Sequence, residues 1–142
     1  MNQLADKFPM TGRAWQELDD ETVADIDQLL FRYIKLQDAM GQRLFPALLQ
    51  ISGDWREDES FIDKLNRLEK LRAIPAADRW LESRSTRNRM THEYPDAPEK
   101  NAANVNAVID STRFSKESLA QAHQYAEQLT KRLGMSIHPI SP

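Results

Sequence analysis

Apolar residues along this chain recur every three or four positions and do not settle into alternation. In the segment LDDETVADIDQLLFRYIKLQDAMGQRLF, residues Val23, Ile26, Leu30, Tyr33, Ile34 and Leu44 fall near i, i+3, i+4 spacing, the period of a helix with one buried face. Asp19, Asp20 and Glu21 stand at its start, where the positive end of a helix dipole favours acids. The pattern predicts a first helix over about 20–50, kinked near Gly41 or Pro46 and closed by Gly53. A second, over about 58–72, carries Phe61, Ile62, Leu65, Leu68 and Leu71 as its apolar stripe. Pro75 suits the first turn of a third, which includes Trp80 and Leu81. That helix stops at or before Tyr94, because Pro95 pushes the preceding residue out of the α region. Asp96 with Glu99 has the form of a capping box for a fourth helix over about 97–111, whose apolar side includes Ala102, Val105, Val108 and Ile109. A fifth, over about 115–133, carries Leu119, Ala122, Ala126, Leu129 and Leu133 and is ended by Gly134.

Helices joined by short connections imply an all-α fold, an up-and-down bundle of four to five helices. Residues 19–134 form its single domain. Residues 1–18 are an N-terminal segment whose order the pattern leaves open, and 135–142 a tail expected to fray. With 142 residues, 40% hydrophobic and 29% charged, the chain suits one domain with a modest core. The longest apolar run, Leu44 to Leu49, is six residues and contains Pro46, too short to cross a bilayer. No basic stretch followed by an apolar one opens the chain. A cytoplasmic protein without membrane contact is therefore expected.

Cysteine is absent, which excludes disulfides, thiolate metal sites and thiol nucleophiles. The four glycines stand far apart, so there is no phosphate-cradling loop or dinucleotide fingerprint, and neither HExxH nor GxSxG occurs. His92, His123 and His138 include no pair at helical metal-ligand spacing. No metal and no cofactor is expected. The acids Asp54, Glu57, Asp58 and Glu59 read as a solvated loop and helix start in preference to a hard-cation site. His123 reads as a surface or packing residue and His138 as part of the tail. The net charge of −3 argues against a polyanion held over the whole surface. A local basic patch is the exception: Arg79, Arg84, Arg87 and Arg89 fall within eleven residues, opposed only by Glu82.

Inside that patch lies RSTRNRMTHEYPD, Arg84 to Asp96. Arg87 is followed at once by Asn88, His92 comes five residues after the arginine, and Tyr94 two later. Under random placement that combination is expected on the order of a few times in ten thousand such chains.

RNRMTHEY resembles the signature of the HEPN superfamily, specifically its HepT-like toxins: Arg, a polar residue, three or four others, His, one residue, Tyr. The helical order is similar as well, so the resemblance spans most of the chain, with its specificity confined to those eight residues. It implies a helical bundle that forms a homodimer, with a metal-independent ribonuclease site where two motifs meet. It also implies a partner, a small nucleotidyltransferase antitoxin that transfers AMP onto the motif tyrosine. Carried residue by residue, the catalytic positions are Arg87, Asn88 and His92, the modified position is Tyr94, and Arg84 and Arg89 are RNA-binding candidates. A second reading, a non-catalytic helical module that accompanies a nucleotidyltransferase, makes less use of this residue set.

The chemistry suits the residues. Cleaving RNA without a metal requires removing a proton from a 2′-hydroxyl, stabilising charge on the phosphorane and protonating the leaving oxygen. An imidazole exchanges protons near neutrality, and a guanidinium offers forked donors to phosphate oxygens. His92 is then the acid/base, Arg87 the clamp, and Asn88 an orienting group. On a regular helix, however, Arg87 and His92 diverge by about 140° and lie about 7.5 Å apart along the axis, whereas Asn88 and His92 share a face. Either the long arginine reaches around, or a second copy of the helix supplies the missing group. At the helix end, free carbonyls favour a cationic imidazole and Arg84, Arg87 and Arg89 oppose it. Tyr94 either covers the helix end or serves as the modified residue.

Overall fold

The computed structural model describes residues 2–92 and 94–134, and over these the chain is an all-α helical bundle with no strand. The expected fraying tail, His138 included, lies outside the described residues.

The long first helix runs as α3, Asp20–Ala39, a π-helical turn Met40–Leu44, and α4, Phe45–Ile51. The departure from α geometry takes in Gly41 and ends two residues before Pro46, the two residues expected to cause it. Pro46 has no N–H and its ring crowds the carbonyl of the preceding turn; a wider turn, in which the Phe45 N–H bonds back to the Met40 carbonyl, absorbs that mismatch. Asp19 caps the helix by accepting from the Thr22 N–H at 2.8 Å, and the Thr22 side chain first, with that N–H second, holds its carboxyl below the usual carboxylate range. The chain leaves α4 through Gly53 at φ 74°, a left-handed position that glycine occupies without strain.

Next come α5, Phe61–Lys70, and α6, Ala77–Arg89. Ser60 caps α5. Its C-terminus closes with the Ala73 N–H on the Leu68 carbonyl and the Arg72 N–H on the Glu69 carbonyl, both 2.9 Å, which places Arg72 at φ 63°. Pro75 lies ahead of α6, and the cap comes from the neighbouring helix: the Ala77 N–H donates to Glu69 Oε2 at 2.6 Å. The acids at 54–59 also have a structural partner, since Arg67 is hydrogen-bonded to Glu59 and sits 3.9 Å from Asp54.

The expected fourth and fifth helices are one, α7, Pro98–Arg132, of 35 residues and about 50 Å. No glycine or proline interrupts it. Thr112, in the expected gap, turns its hydroxyl onto the Val108 carbonyl of its own helix at 2.8 Å rather than capping a new one. Nor does Asp96 form the expected capping box; Ala97 occupies the cap position without a side-chain bond, and Pro98 opens the helix.

Phe45, Leu49, Leu65, Leu68, Trp80 and Phe114 form the main core, with the Phe45 and Trp80 rings edge-to-face at 4.7 Å. Full burial of each large side chain contributes roughly 1.5–3 kcal/mol before entropy. Tyr33, buried, ties α3 to α6 by donating to the Ser83 carbonyl at 2.8 Å, and burial raises its phenol above the ordinary value. Val23, Ile62, Leu119 and Leu133, counted in the apolar stripes, are exposed; the buried face of α3 is Thr22, Ile26, Tyr33 and Gln37.

The N-terminal segment, open in the sequence, is packed. Its helices α1, Asn2–Ala5, and α2, Gly12–Gln16, rest on a second cluster of Leu4, Met10, Ile26, Ala102 and Val105. The Asn106 carboxamide brackets the Met10 backbone at 2.7 and 2.8 Å. Gly12 meets the start of α7 so closely that a Cβ there would stand 2.8 Å from Glu99 Cγ and 3.0 Å from its backbone nitrogen.

Two substitutions test this account by urea unfolding. Gly12→Ala should destabilise by about 1–3 kcal/mol through overpacking, and Arg72→Gly should stabilise by about 1 kcal/mol by relieving a left-handed side chain. A neutral Gly12→Ala would mean that the N-terminal segment does not rest on α7.

Candidate functional site

Arg87 stands in the last turn of α6 and reaches across to α3. Its Nε donates to Asp38 Oδ1 at 3.2 Å and its Nη2 to Asp38 Oδ2 at 3.0 Å, a side-on, bidentate pair. The side chains are 28% and 38% exposed, so water screens the attraction and the pair matters more for position than for stability. Two of the five guanidinium donors are engaged, and others remain for a further anion.

Beside this pair, α3, the π-helical turn, α5 and α6 enclose a recess of about 350 Å³. Gln37, Asp38, Phe61, Arg84, Arg87 and Asn88 contribute to its wall. Arg84 lies over the Phe61 ring, 4.4 Å from its centroid. Gln37 is 5% exposed, and its Nε2 has no hydrogen-bond partner among the described residues. A buried donor left without a partner is disfavoured by about 1–3 kcal/mol. A larger hollow of about 490 Å³ lies between residues 4–9 and α7. Its lining is mostly apolar and includes none of the motif residues.

His92 is exposed and lies past the end of α6. Met90, Thr91 and His92 each donate their backbone N–H three residues back, to Arg87, Asn88 and Arg89, at 3.2, 3.4 and 3.1 Å. The chain therefore leaves the helix in a tightened winding, and the shared face expected of Asn88 and His92 at i, i+4 does not apply. Within one chain the recess takes in Arg87 and Asn88 but not His92. Tyr94 is half-buried. Lys100 Nζ sits 4.2 Å from its ring centroid, and the Asn101 side chain brackets its backbone, accepting from its N–H at 3.4 Å and donating to its carbonyl at 2.7 Å.

The basic patch divides. Arg79 turns to α7, over Phe114 at 4.2 Å and 3.7 Å from Glu117. Arg89 folds back on Ser85 and Thr86 of its own helix at 3.2 and 3.1 Å. Arg84 and Arg87 meet at the recess. His123 pairs with Glu127 at 3.2 Å on the surface of α7. No group of three His, Asp or Glu side chains among the described residues is placed to hold a metal ion, and no described helix is long and apolar enough to cross a membrane.

Asp38 and Gln37 are not among the residues that the motif predicts. A signal for the second was present: Gln37 falls four residues after Tyr33 and three before Met40, on the buried stripe where a hydrophobe is expected. Asp38, four residues after Ile34, adjoins that stripe, and no local pattern pairs it with an arginine 49 residues on.

No family model, curated protein or solved structure matches the chain.

A double-mutant cycle on Asp38→Ala and Arg87→Ala, read by urea unfolding, should return a coupling of about 0.5–1 kcal/mol. Zero coupling would mean that Arg87 is not held by Asp38 in solution.

Proposed function

We propose that this protein is a metal-independent endoribonuclease that works as a homodimer, the toxin of a pair whose antitoxin is a small nucleotidyltransferase in the cytoplasm. One observation carries the reading: a guanidinium fixed by two hydrogen bonds lies beside a recess, and an exposed imidazole follows it just beyond the same helix end. The resemblance of RNRMTHEY to the HepT-like signature agrees with it.

In this mechanism one phosphodiester of single-stranded RNA lies against Arg87. An imidazole takes the proton of the 2′-hydroxyl, whose oxygen attacks phosphorus. Arg87 stabilises the charge on the phosphorane. The bond to O5′ breaks as that oxygen gains a proton, leaving a 2′,3′-cyclic phosphate and a 5′-hydroxyl. Because the recess of one chain does not include His92, the reading requires the imidazole to come from a second copy packed about a two-fold axis. In each of the two equivalent clefts the imidazole that took the 2′-hydroxyl proton then delivers a proton to the leaving O5′, so one His92 serves first as base and then as acid. Asn88, exposed at the rim, orients the phosphate or the imidazole. Arg84 holds the RNA backbone through its position over Phe61, and Arg89 adds charge at the rim.

Tyr94, two residues beyond His92, is the proposed point of control. Transfer of AMP from ATP to its Oη, with pyrophosphate leaving, would add bulk and a negative phosphate next to the catalytic imidazole, and both oppose RNA entry.

The test is complementation. Arg87→Ala and His92→Ala should each lower RNA cleavage by at least about 100-fold with circular dichroism unchanged. Mixing the two inactive proteins should restore activity, because one cleft of the mixed dimer retains both groups. A mixture that stays inactive while forming mixed dimers would refute the shared cleft. A wild-type protein that binds RNA or a nucleotidyltransferase but never cuts would favour the accessory-module reading. In a second experiment, coexpression with a neighbouring nucleotidyltransferase should add the mass of AMP to wild type and not to Tyr94→Phe.

A further inference from the structure

We infer that the recess beside Arg87 is a base-binding pocket, which seats one unpaired nucleobase of the RNA with its phosphate on Arg84. The identification of the ligand as RNA rests on the ribonuclease reading; the pocket itself rests on four observations.

Its size of about 350 Å³ lies within the range of small-ligand sites, about 300–1,000 Å³. Its walls join an aromatic ring, Phe61, to carboxamides, Gln37, Gln42 and Asn88, the combination that receives a flat heterocycle with polar edges. Its charge is small: Arg84 and Arg87 are offset in part by Asp38, leaving a formal excess of about one positive charge. That balance suits a single phosphodiester and not a polyphosphate. Finally, Gln37 is a buried amide whose nitrogen lacks an acceptor. The amide at the recess wall has both a donor and an acceptor to offer the polar edge of a base. Leucine would fill the same space without the unmade bond, so the amide is disfavoured by folding alone.

These features lead to a test that does not depend on catalysis. Wild type, Gln37→Leu and Arg84→Ala would be titrated with the four nucleoside 3′-monophosphates and with inorganic phosphate, by calorimetry or amide chemical shifts. At least one nucleotide should bind wild type about ten-fold or more tightly than phosphate does. Gln37→Leu should erase that preference while leaving phosphate affinity unchanged, and should unfold at the same or higher urea concentration than wild type. Arg84→Ala should weaken nucleotides and phosphate alike. Phosphate binding as well as every nucleotide, or Gln37→Leu retaining the preference, would overturn the pocket. The two readings separate cleanly. Nucleotide preference lost in Gln37→Leu, without any RNA cleavage by wild type, would uphold the pocket and refute the ribonuclease. Cleavage with no nucleotide preference would do the reverse.

Discussion

The side-on pair between Arg87 and Asp38 fixes where the end of α6 stands relative to α3. Its two hydrogen bonds define the guanidinium plane as well as its distance, which a single contact would not do. Around it, Arg84 is laid over Phe61, Asn88 is held at the rim, and the chain turns out of the helix to expose His92. Exposure weakens the pair as a source of stability. The edge-to-face Phe45–Trp80 contact and the burial of Phe114 secure the bundle independently. Position and stability are thus supplied by different residues, so the site can be altered without unfolding the scaffold.

The helical class and most helix centres were legible because 3.6-residue periodicity is local. Gly53 and Gly134 were legible for a related reason: both occupy left-handed positions at helix ends, which glycine adopts without cost. The misplaced boundaries share a cause. Ala97 in place of Asp96 at the start of α7, and Glu69 capping α6 from another helix, are decided by packing across the molecule. The continuity of α7 through residues 112–114 follows from Phe114 being buried in the core and Thr112 bonding within its own turn. Residues 1–18 escaped for want of length, since short helices depend on contacts such as Asn106 on Met10 and Gly12 on Glu99.

The candidate site was half visible. Arg87, Asn88, His92 and Tyr94 stand together in the sequence, and their types are those the proposed chemistry uses. What spacing did not reveal is that the helix ends at Arg89, which removes the geometry assumed for Asn88 and His92. Nor did it show that the acid steadying Arg87 lies on a distant helix. The buried Gln37 is a different kind of clue: its amide occupies a position on the buried stripe of α3 where burial alone favours a hydrophobe, and the proposed pocket gives it a role.

The most direct measurement is the chemistry of the RNA ends. Purified protein would be incubated with single-stranded RNA in excess EDTA, and the fragments examined by mass spectrometry. The account predicts cleavage that yields 2′,3′-cyclic phosphate and 5′-hydroxyl termini at a rate unaffected by the chelator. Intact RNA, or 3′-hydroxyl and 5′-phosphate termini formed only when divalent cations are present, would contradict it.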